Sequence, residues 1–90
     1  MMNIVETTAF RRDIKKTKKR GKDIQKLLLV IETLAQGKIL EAKHKPHPLT
    51  GQWKPKYECH IEPDWLLIYE IRESELRLIR TGSHADLFKM

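Results

Sequence analysis

The apolar positions early in the chain recur with the three-to-four-residue period of an amphipathic helix. The clearest run follows the i, i+3, i+4, i+7 pattern and comprises Ile24, Leu27, Leu28, Ile31, Leu34 and Ala35. Asp23 precedes this run and can cap a helix N-terminus, while Gly37 follows it and suits a C-terminal cap. The pattern therefore predicts a helix over residues 24–35.

A second helical pattern lies upstream. Phe10 and Ile14 are four residues apart on one face, Thr7 or Thr8 can cap the N-terminus, and Gly21 ends the segment. The opposite face is basic and carries Arg11, Arg12, Lys15, Lys16, Lys18 and Lys19. These two segments predict a helical hairpin with one apolar and one basic side.

The second half of the chain has the two-residue period of strands. Residues 57–62 alternate, which assigns opposite faces to Tyr57, Cys59, Ile61 and to Glu58, His60, Glu62. Residues 65–71 are nearly all apolar, which is typical of a central strand buried on both faces. Residues 76–81 form a third strand, and residues 3–5 suit a short edge strand.

These elements predict one α+β domain over residues 1–90. In it, two N-terminal helices pack on a twisted antiparallel sheet. We interpret residues 38–52 as a loop and residues 83–90 as a short tail.

Charge is distributed unevenly along the chain. The net charge is +6, but residues 1–46 carry twelve basic and five acidic side chains, a net +7, whereas residues 47–90 carry six and seven, a net −1. Such asymmetry favours a polyanionic partner, most often nucleic acid. A solvated helix face explains the charge equally well.

Other features of the sequence restrict the compartment. One cysteine, Cys59, excludes an internal disulfide framework and fits a reducing cytoplasm. The N-terminus has no signal-peptide pattern, and no apolar run approaches the roughly 20 residues of a membrane span. We therefore expect a cytoplasmic protein with no membrane contact.

Residues suited to RNA chemistry accumulate after position 43: His44, His47, Glu58, His60, Asp64, Arg80 and His84. If the three strands are neighbours, most of these groups converge at one end of the sheet. RNA cleavage needs a base for the 2′-hydroxyl and an acid for the leaving 5′-oxygen, and histidine can serve as either. An arginine can stabilise the phosphorane, and a carboxylate can orient an imidazole.

Other interpretations of these residues remain. A lone histidine is more often a surface or loop residue. Four histidines and Cys59 raise the question of zinc, but no CxxC or HxxxH spacing exists, so we predict no metal site. Trp53 and Phe88 can be packing residues or platforms on which RNA bases stack.

Three sequence blocks form a recognisable set. Residues 47–53 read HPLTGQW, residues 58–69 read ECHIEPDWLLIY, and residues 80–88 read RTGSHADLF. In order and spacing they resemble the HPLxGxW, (E/D)xHxxPDxxLIY and RxGxHxxLF blocks of YafQ-type toxins, a branch of the RelE-like family. The N-terminal helices fit in pattern, so the resemblance extends over essentially the whole chain.

The resemblance implies a compact RelE-like fold and an endoribonuclease that cleaves mRNA in the ribosomal decoding site, which inhibits translation. It implies no metal or other cofactor. It also implies a cognate antitoxin that wraps the toxin and blocks it. The complex would contact operator DNA only through the antitoxin.

By the same resemblance, the family's catalytic positions are His47, His60, Asp64 and His84. Arg80 matches its phosphate-binding arginine, Phe88 its C-terminal aromatic residue beside the RNA, and Glu58 an acidic position. We expect His84, supported by Asp64, and His47 to share proton transfer. His60 then positions the RNA, and the sequence leaves open which histidine is the base.

The basic segment would then dock the toxin on ribosomal RNA, since Lys and Arg contacts with phosphates give affinity without sequence recognition. The residues predicted to do so are Lys15, Lys16, Lys18, Lys19, Arg20 and Lys22. Two alternatives remain: a non-catalytic RNA- or antitoxin-binding protein of the same fold, and an RNase that acts without the ribosome.

Overall fold

Five strands and three helices make up residues 1–88, the part of the chain described by this computed structural model. In chain order they are β1 Asn3–Glu6, α1 Thr8–Lys19, α2 Ile24–Ala35, β2 His47–Pro48, β3 Tyr57–Glu62, β4 Trp65–Arg72, β5 Glu75–Gly82 and α3 His84–Phe88. Two 3₁₀ turns, Ala42–His44 and Gly51–Trp53, flank β2. Lys89 and Met90, the end of the predicted tail, lie outside the described residues.

The predicted α+β class is confirmed, with one correction to the sheet. The strand order is β1-β5-β4-β3-β2, and β3, β4 and β5 form the predicted antiparallel meander. β1, however, runs parallel to β5, so the sheet is mixed rather than antiparallel. No hairpin turn joins β1 to β5 to impose antiparallel pairing. The junction of β1 with α1 is instead fixed by Thr7, whose N–H donates to Leu78 O and whose hydroxyl donates to Ile79 O.

The main core lies between the sheet and helices α1 and α2. Its largest buried side chains include Phe10 of α1, Leu27 of α2 and Trp65 of β4. Leu28, which the helical pattern placed on the apolar stripe, is instead half exposed. None of the helices in residues 1–88 has the length and apolar content needed to span a bilayer.

A smaller apolar cluster covers the other face of the sheet. Leu66 and Ile68 of β4 and Leu87 of α3 are buried there, and partly buried residues pack against them: Leu49, Trp53, Ile79 and Phe88. β4 is therefore buried on both faces along most of its length, as its continuous apolar run predicts.

The sequence predicted residues 83–90 only as a short tail, and helix α3 occupies residues 84–88 of it. Ser83 Oγ accepts the Asp86 N–H, and Asp86 Oδ2 accepts the Ser83 N–H, which gives the helix a reciprocal cap. A helix of five residues is too short to show a periodic pattern. Strand β2 likewise lies within the predicted loop, and its two residues pair with β3.

Candidate active site

The face of the sheet opposite α1 and α2 carries a cross-strand row that contains three predicted site residues, His47, Glu58 and Arg80, together with Ile68. His47 pairs with Glu58, Glu58 with Ile68, and Ile68 with Arg80, so the row crosses all four strands from β2 to β5. Residues paired directly across neighbouring strands point to the same face. The alternation predicted for residues 57–62 thus places Glu58 and His60 on this face.

Glu58 lies between two histidines. Its Oε2 is 3.2 Å from His47 Nε2 and 3.5 Å from His60 Nε2, and its side chain is only 8% exposed. The second ring nitrogen of each histidine faces a backbone carbonyl: His47 Nδ1 is 2.8 Å from Lys45 O, and His60 Nδ1 is 3.2 Å from Pro63 O. Each of the two rings therefore has an oxygen acceptor next to both of its nitrogens.

His84 begins α3 and is held by Asp64. Its Nδ1 is 2.6 Å from Asp64 Oδ1, and its backbone N–H donates to the same oxygen at 2.9 Å. These hydrogen bonds, the backbone one first, lower the pKa of Asp64 below its usual value and keep it ionised. The His84 ring centre lies 5.9 Å from that of His60, which is 6.4 Å from that of His47.

An aromatic pair borders the histidines. Trp53 and Phe88 meet edge to face with ring centres 5.5 Å apart, and Phe88 lies 6.4 Å from His84. Both aromatic residues are partly buried against the small apolar cluster. Both rings thus pack on the sheet next to the histidines, and their role as platforms for RNA bases stays a prediction.

Arg80 belongs to the row, but its guanidinium is already paired with a residue of α1. Its Nε donates to Asp13 Oδ2 at 2.6 Å and its Nη2 to Asp13 Oδ1 at 3.1 Å. The hydrogen bond to Asp13 raises the pKa of Arg80. Sequence reasoning missed Asp13, although it is the only acidic residue in the basic segment 11–20.

The residues predicted to dock on the ribosome fall into two groups. Lys15, Lys18 and Lys19 are exposed on α1. Three others form ion pairs within the protein: Lys16 (3.2 Å) and Arg20 (2.5 Å) with Asp86, and Lys22 (3.0 Å) with Glu62. Asp86 and Glu62 therefore neutralise part of the predicted basic surface, although they lie at least 40 positions further along the sequence.

His44, the first of the histidines that the sequence offered as candidates, contacts the backbone of β3 rather than joining the other three rings. Its Nδ1 lies 2.6 Å from the backbone carbonyl of His60, so a protonated Nδ1 donates to β3 next to the row. A cavity of about 840 Å³ adjoins it, between α2 and residues 38–45, and Leu29 and Ile39 line its apolar part.

In the described part of the chain, the side chains that could bind a metal are not grouped as a metal site. Within residues 1–88, no three or more His, Cys, Asp or Glu side chains are arranged to hold a metal ion. Cys59 faces the main core, where burial raises the pKa of its thiol to about 12, so it remains protonated.

Similarity to known proteins extends over nearly the whole chain. A family model described as the bacterial toxin YafQ of a type II toxin–antitoxin system matches residues 2–89. The mRNA interferase toxin YafQ of Escherichia coli K12 is 44% identical over 80 residues, which cover 88% of this chain and 87% of that protein.

Two solved structures have the same fold. A copper-bound mutant toxin from Helicobacter pylori has a TM-score of 0.94 at 40% identity, covering 98% of this chain and 100% of that one. A chain of the Escherichia coli DinJ–YafQ complex has a TM-score of 0.91 at 40% identity, with coverages of 98% and 99%.

Proposed function

The chain belongs to the YafQ family of toxins of bacterial type II toxin–antitoxin systems, and we propose that it cleaves mRNA on the ribosome by metal-independent general acid–base catalysis. Like the relatives named mRNA interferases, it is an endoribonuclease. The observation that best supports the proposed chemistry is the His84–Asp64 pair, which lies beside the His47–Glu58–His60 group on one face of the sheet.

His84 has the arrangement of a general base. Asp64 accepts from Nδ1, so the neutral ring holds its proton there, and Nε2 has no hydrogen-bond partner within residues 1–88. In the proposed reaction, Nε2 takes the proton of the 2′-hydroxyl, and the 2′-oxygen bonds to phosphorus as the bond from phosphorus to the 5′-oxygen breaks. Asp64 stabilises the imidazolium that forms.

His47 is the proposed acid that protonates the leaving 5′-oxygen. Glu58 Oε2 and Lys45 O lie next to its two ring nitrogens, so a ring that carries the proton to be donated has an acceptor for its second N–H, and its side chain is 47% exposed, so RNA can reach it. The His60 side chain is 18% exposed and lies between the other two rings, where a ring N–H can donate to the phosphate. A substrate bearing a 5′-sulfur leaving group tests this assignment, because sulfur leaves without a proton. It should restore cleavage by His47→Gln but not by His84→Gln.

Two features of the surface support the proposed dependence on the ribosome: the shape of the active face and the exposed cations of α1. The active face is an open surface, and the exposed cations of α1, Lys15, Lys18 and Lys19, can contact phosphates of ribosomal RNA. Such contacts bring the toxin to its mRNA substrate without any requirement for sequence recognition. The Trp53–Phe88 pair, next to His84, offers aromatic faces on which a base can stack.

The proposed partners are a cognate antitoxin, mRNA and the ribosome. A solved complex of the Escherichia coli relative contains DinJ together with YafQ. By analogy, an antitoxin of this chain would bind it in the cytoplasm and block cleavage, and operator DNA would be contacted only through the antitoxin. Co-purification with the product of an adjacent small open reading frame, with loss of cleavage in the complex, tests this part.

The decisive experiment is cleavage of a defined mRNA with and without programmed ribosomes, comparing wild type with His84→Ala. We expect ribosome-dependent cuts that disappear in the variant. Cutting of free RNA at the same rate would favour the ribosome-independent nuclease. Equal cutting by the variant would remove His84 from the site, and no cutting by wild type would favour the non-catalytic binding protein.

A further inference from the structure

We propose that Asp13 is a positioning residue of the cleavage site, which holds the guanidinium of Arg80 in the orientation needed to bind the scissile phosphate. This inference rests on the proposed function, because it assumes that Arg80 contacts RNA. Asp13 itself lies on α1, outside the cross-strand row of the sheet, and would act on the reaction only through Arg80.

The geometry of the pair is bidentate. Two parallel hydrogen bonds, at 2.6 and 3.1 Å, join Nε and Nη2 of Arg80 to the two carboxylate oxygens of Asp13. This arrangement fixes the plane of the guanidinium as well as its distance, which a single hydrogen bond does not do. The remaining nitrogen, Nη1, has no hydrogen-bond partner in the part of the chain that the structure describes, so it is available to a phosphate oxygen.

Asp13 is itself held rigidly. Its side chain is only 11% exposed, and Oδ2 also accepts the backbone N–H of Thr81 at 3.1 Å. β1 pairs with β5 only as far as Leu78, so this carboxylate satisfies an N–H on the free edge of β5 beyond the end of β1. The Thr17 hydroxyl donates to the Asp13 carbonyl one turn further along α1. A buried charge held at several points is suited to positioning a second charge.

The negative charge of Asp13 allows a positioning role to be distinguished from a direct electrostatic effect on RNA binding. Asp13 is an anion next to the proposed phosphate ligand, so its removal makes the protein more basic and should strengthen nonspecific RNA binding. If Asp13 positions Arg80, the same change lowers the cleavage rate. A variant that binds RNA at least as tightly but cuts more slowly is therefore the expected signature, and loss of folding alone would not produce it.

The test uses Asp13→Asn, which preserves the shape of the side chain but presents at most one acceptor oxygen to the guanidinium. We expect the cleavage rate at saturation to fall about 10-fold or more, as when a preorganised electrostatic group is removed. The concentration for half-saturation should stay equal or decrease. Asp23→Ala is the matched control, because it removes another helix carboxylate, the α2 cap, without touching Arg80.

A double variant checks that Asp13 acts through Arg80. Asp13→Asn/Arg80→Ala should cut no more slowly than Arg80→Ala alone, because the group that Asp13 positions is already absent. If Asp13→Asn fails to fold, Asp13→Glu replaces it, since this change keeps the charge but displaces the carboxylate by one methylene. The same loss of rate without a loss of affinity is expected.

Three results would overturn the inference: unchanged cleavage by Asp13→Asn, an equal loss in the Asp23→Ala control, or a further loss of rate when Asp13→Asn is added to Arg80→Ala. Each requires that wild type cuts RNA in the assay, with or without ribosomes. Absence of cleavage by wild type would instead contradict the proposed function, so the two failures are distinguishable.

Discussion

The Nδ1 atom of His84 lies 2.6 Å from Oδ1 of Asp64, and the same oxygen accepts the backbone N–H of His84 at 2.9 Å. One carboxylate thus fixes both the ring and the first residue of α3. The pairing requires the β3–β4 turn to meet the end of β5, and the two residues are 20 positions apart in sequence.

Replacing Asp64 with Asn should lower the cleavage rate by about 10-fold or more, because the amide no longer stabilises the imidazolium that forms at His84. His84→Ala, which removes the base itself, should cost about 10² to 10⁴-fold. Single-turnover cleavage at saturating toxin measures both. Glu73→Gln, in the turn between β4 and β5, is the control and should cut like wild type; a smaller effect of His84→Ala than of Asp64→Asn would contradict these roles.

Replacing Glu58 with Gln should also reduce cleavage, by about 10-fold or more, because its Oε2 faces both His47 Nε2 and His60 Nε2, and a neutral amide cannot stabilise positive charge that develops on either ring during proton transfer. The change conserves size, so the fold should survive. Glu32→Gln, on α2 behind the sheet, serves as the control. Retention of the full wild-type rate by Glu58→Gln, measured from about pH 5 to 9, would exclude a role for this carboxylate.

Asp86 should stabilise the protein only where it is ionised. Hydrogen bonds from Arg20, Ser83 and Lys16 hold the pKa of Asp86 well below its usual value of 3.8. A depressed pKa in the folded state means that the stabilisation is complete above about pH 4 and decreases as the pH falls through and below that value. The free energy of unfolding of Asp86→Asn should therefore be about 1–3 kcal/mol lower than that of wild type at pH 7.

Urea unfolding of wild type and Asp86→Asn between about pH 7 and pH 3 measures this difference, which should shrink on the acidic side. Glu73→Gln provides an exposed carboxylate for comparison. A difference that stays constant over the whole pH range would show that Asp86 contributes through packing rather than charge. Asp86 does pack closely, since a Cβ on Gly82 would lie 2.9 Å from its Oδ2.

Ribosome binding should depend on the exposed cations of α1 rather than on total charge. Replacing Lys15, Lys18 and Lys19 together with Gln should weaken binding and lower the slope of log K against log salt by about 0.7 to 0.9 for each phosphate that the variant no longer neutralises. The same number of charges removed elsewhere, at Lys38, Lys43 and Arg72, is the control. Equal weakening in the two triple variants would exclude a specific docking face on α1.

Chelation of divalent metals should leave the chemical step unchanged, because the proposed proton transfers use imidazole and carboxylate groups alone. EDTA disrupts ribosomes, so the assay should use a preformed complex at fixed free Mg²⁺ and a chelator selective for zinc and copper. A metal-dependent nuclease treated in parallel confirms that chelation is effective. Loss of cleavage that returns on adding zinc would contradict the proposed mechanism.

Local patterns in the sequence determined much of this protein. The helical period predicted α1 and α2, and the alternation of residues 57–62 placed Glu58 and His60 on one face and Cys59 on the other. The apolar run of β4 predicted a strand covered on both sides. These features depend on side-chain periodicity within one element, which a sequence displays directly.

Tertiary structure alone decided the remaining features. It set the parallel pairing of β1 with β5, and it brought together Asp13 with Arg80 and Arg20 with Asp86, which are 67 and 66 residues apart. It also formed α3, whose five residues are tied to the body by Asp64 and by the basic end of α1. Such contacts do not appear as a periodic pattern in the sequence. They form only when separate elements pack together, because a buried charge is stable only next to a hydrogen-bonding or oppositely charged partner.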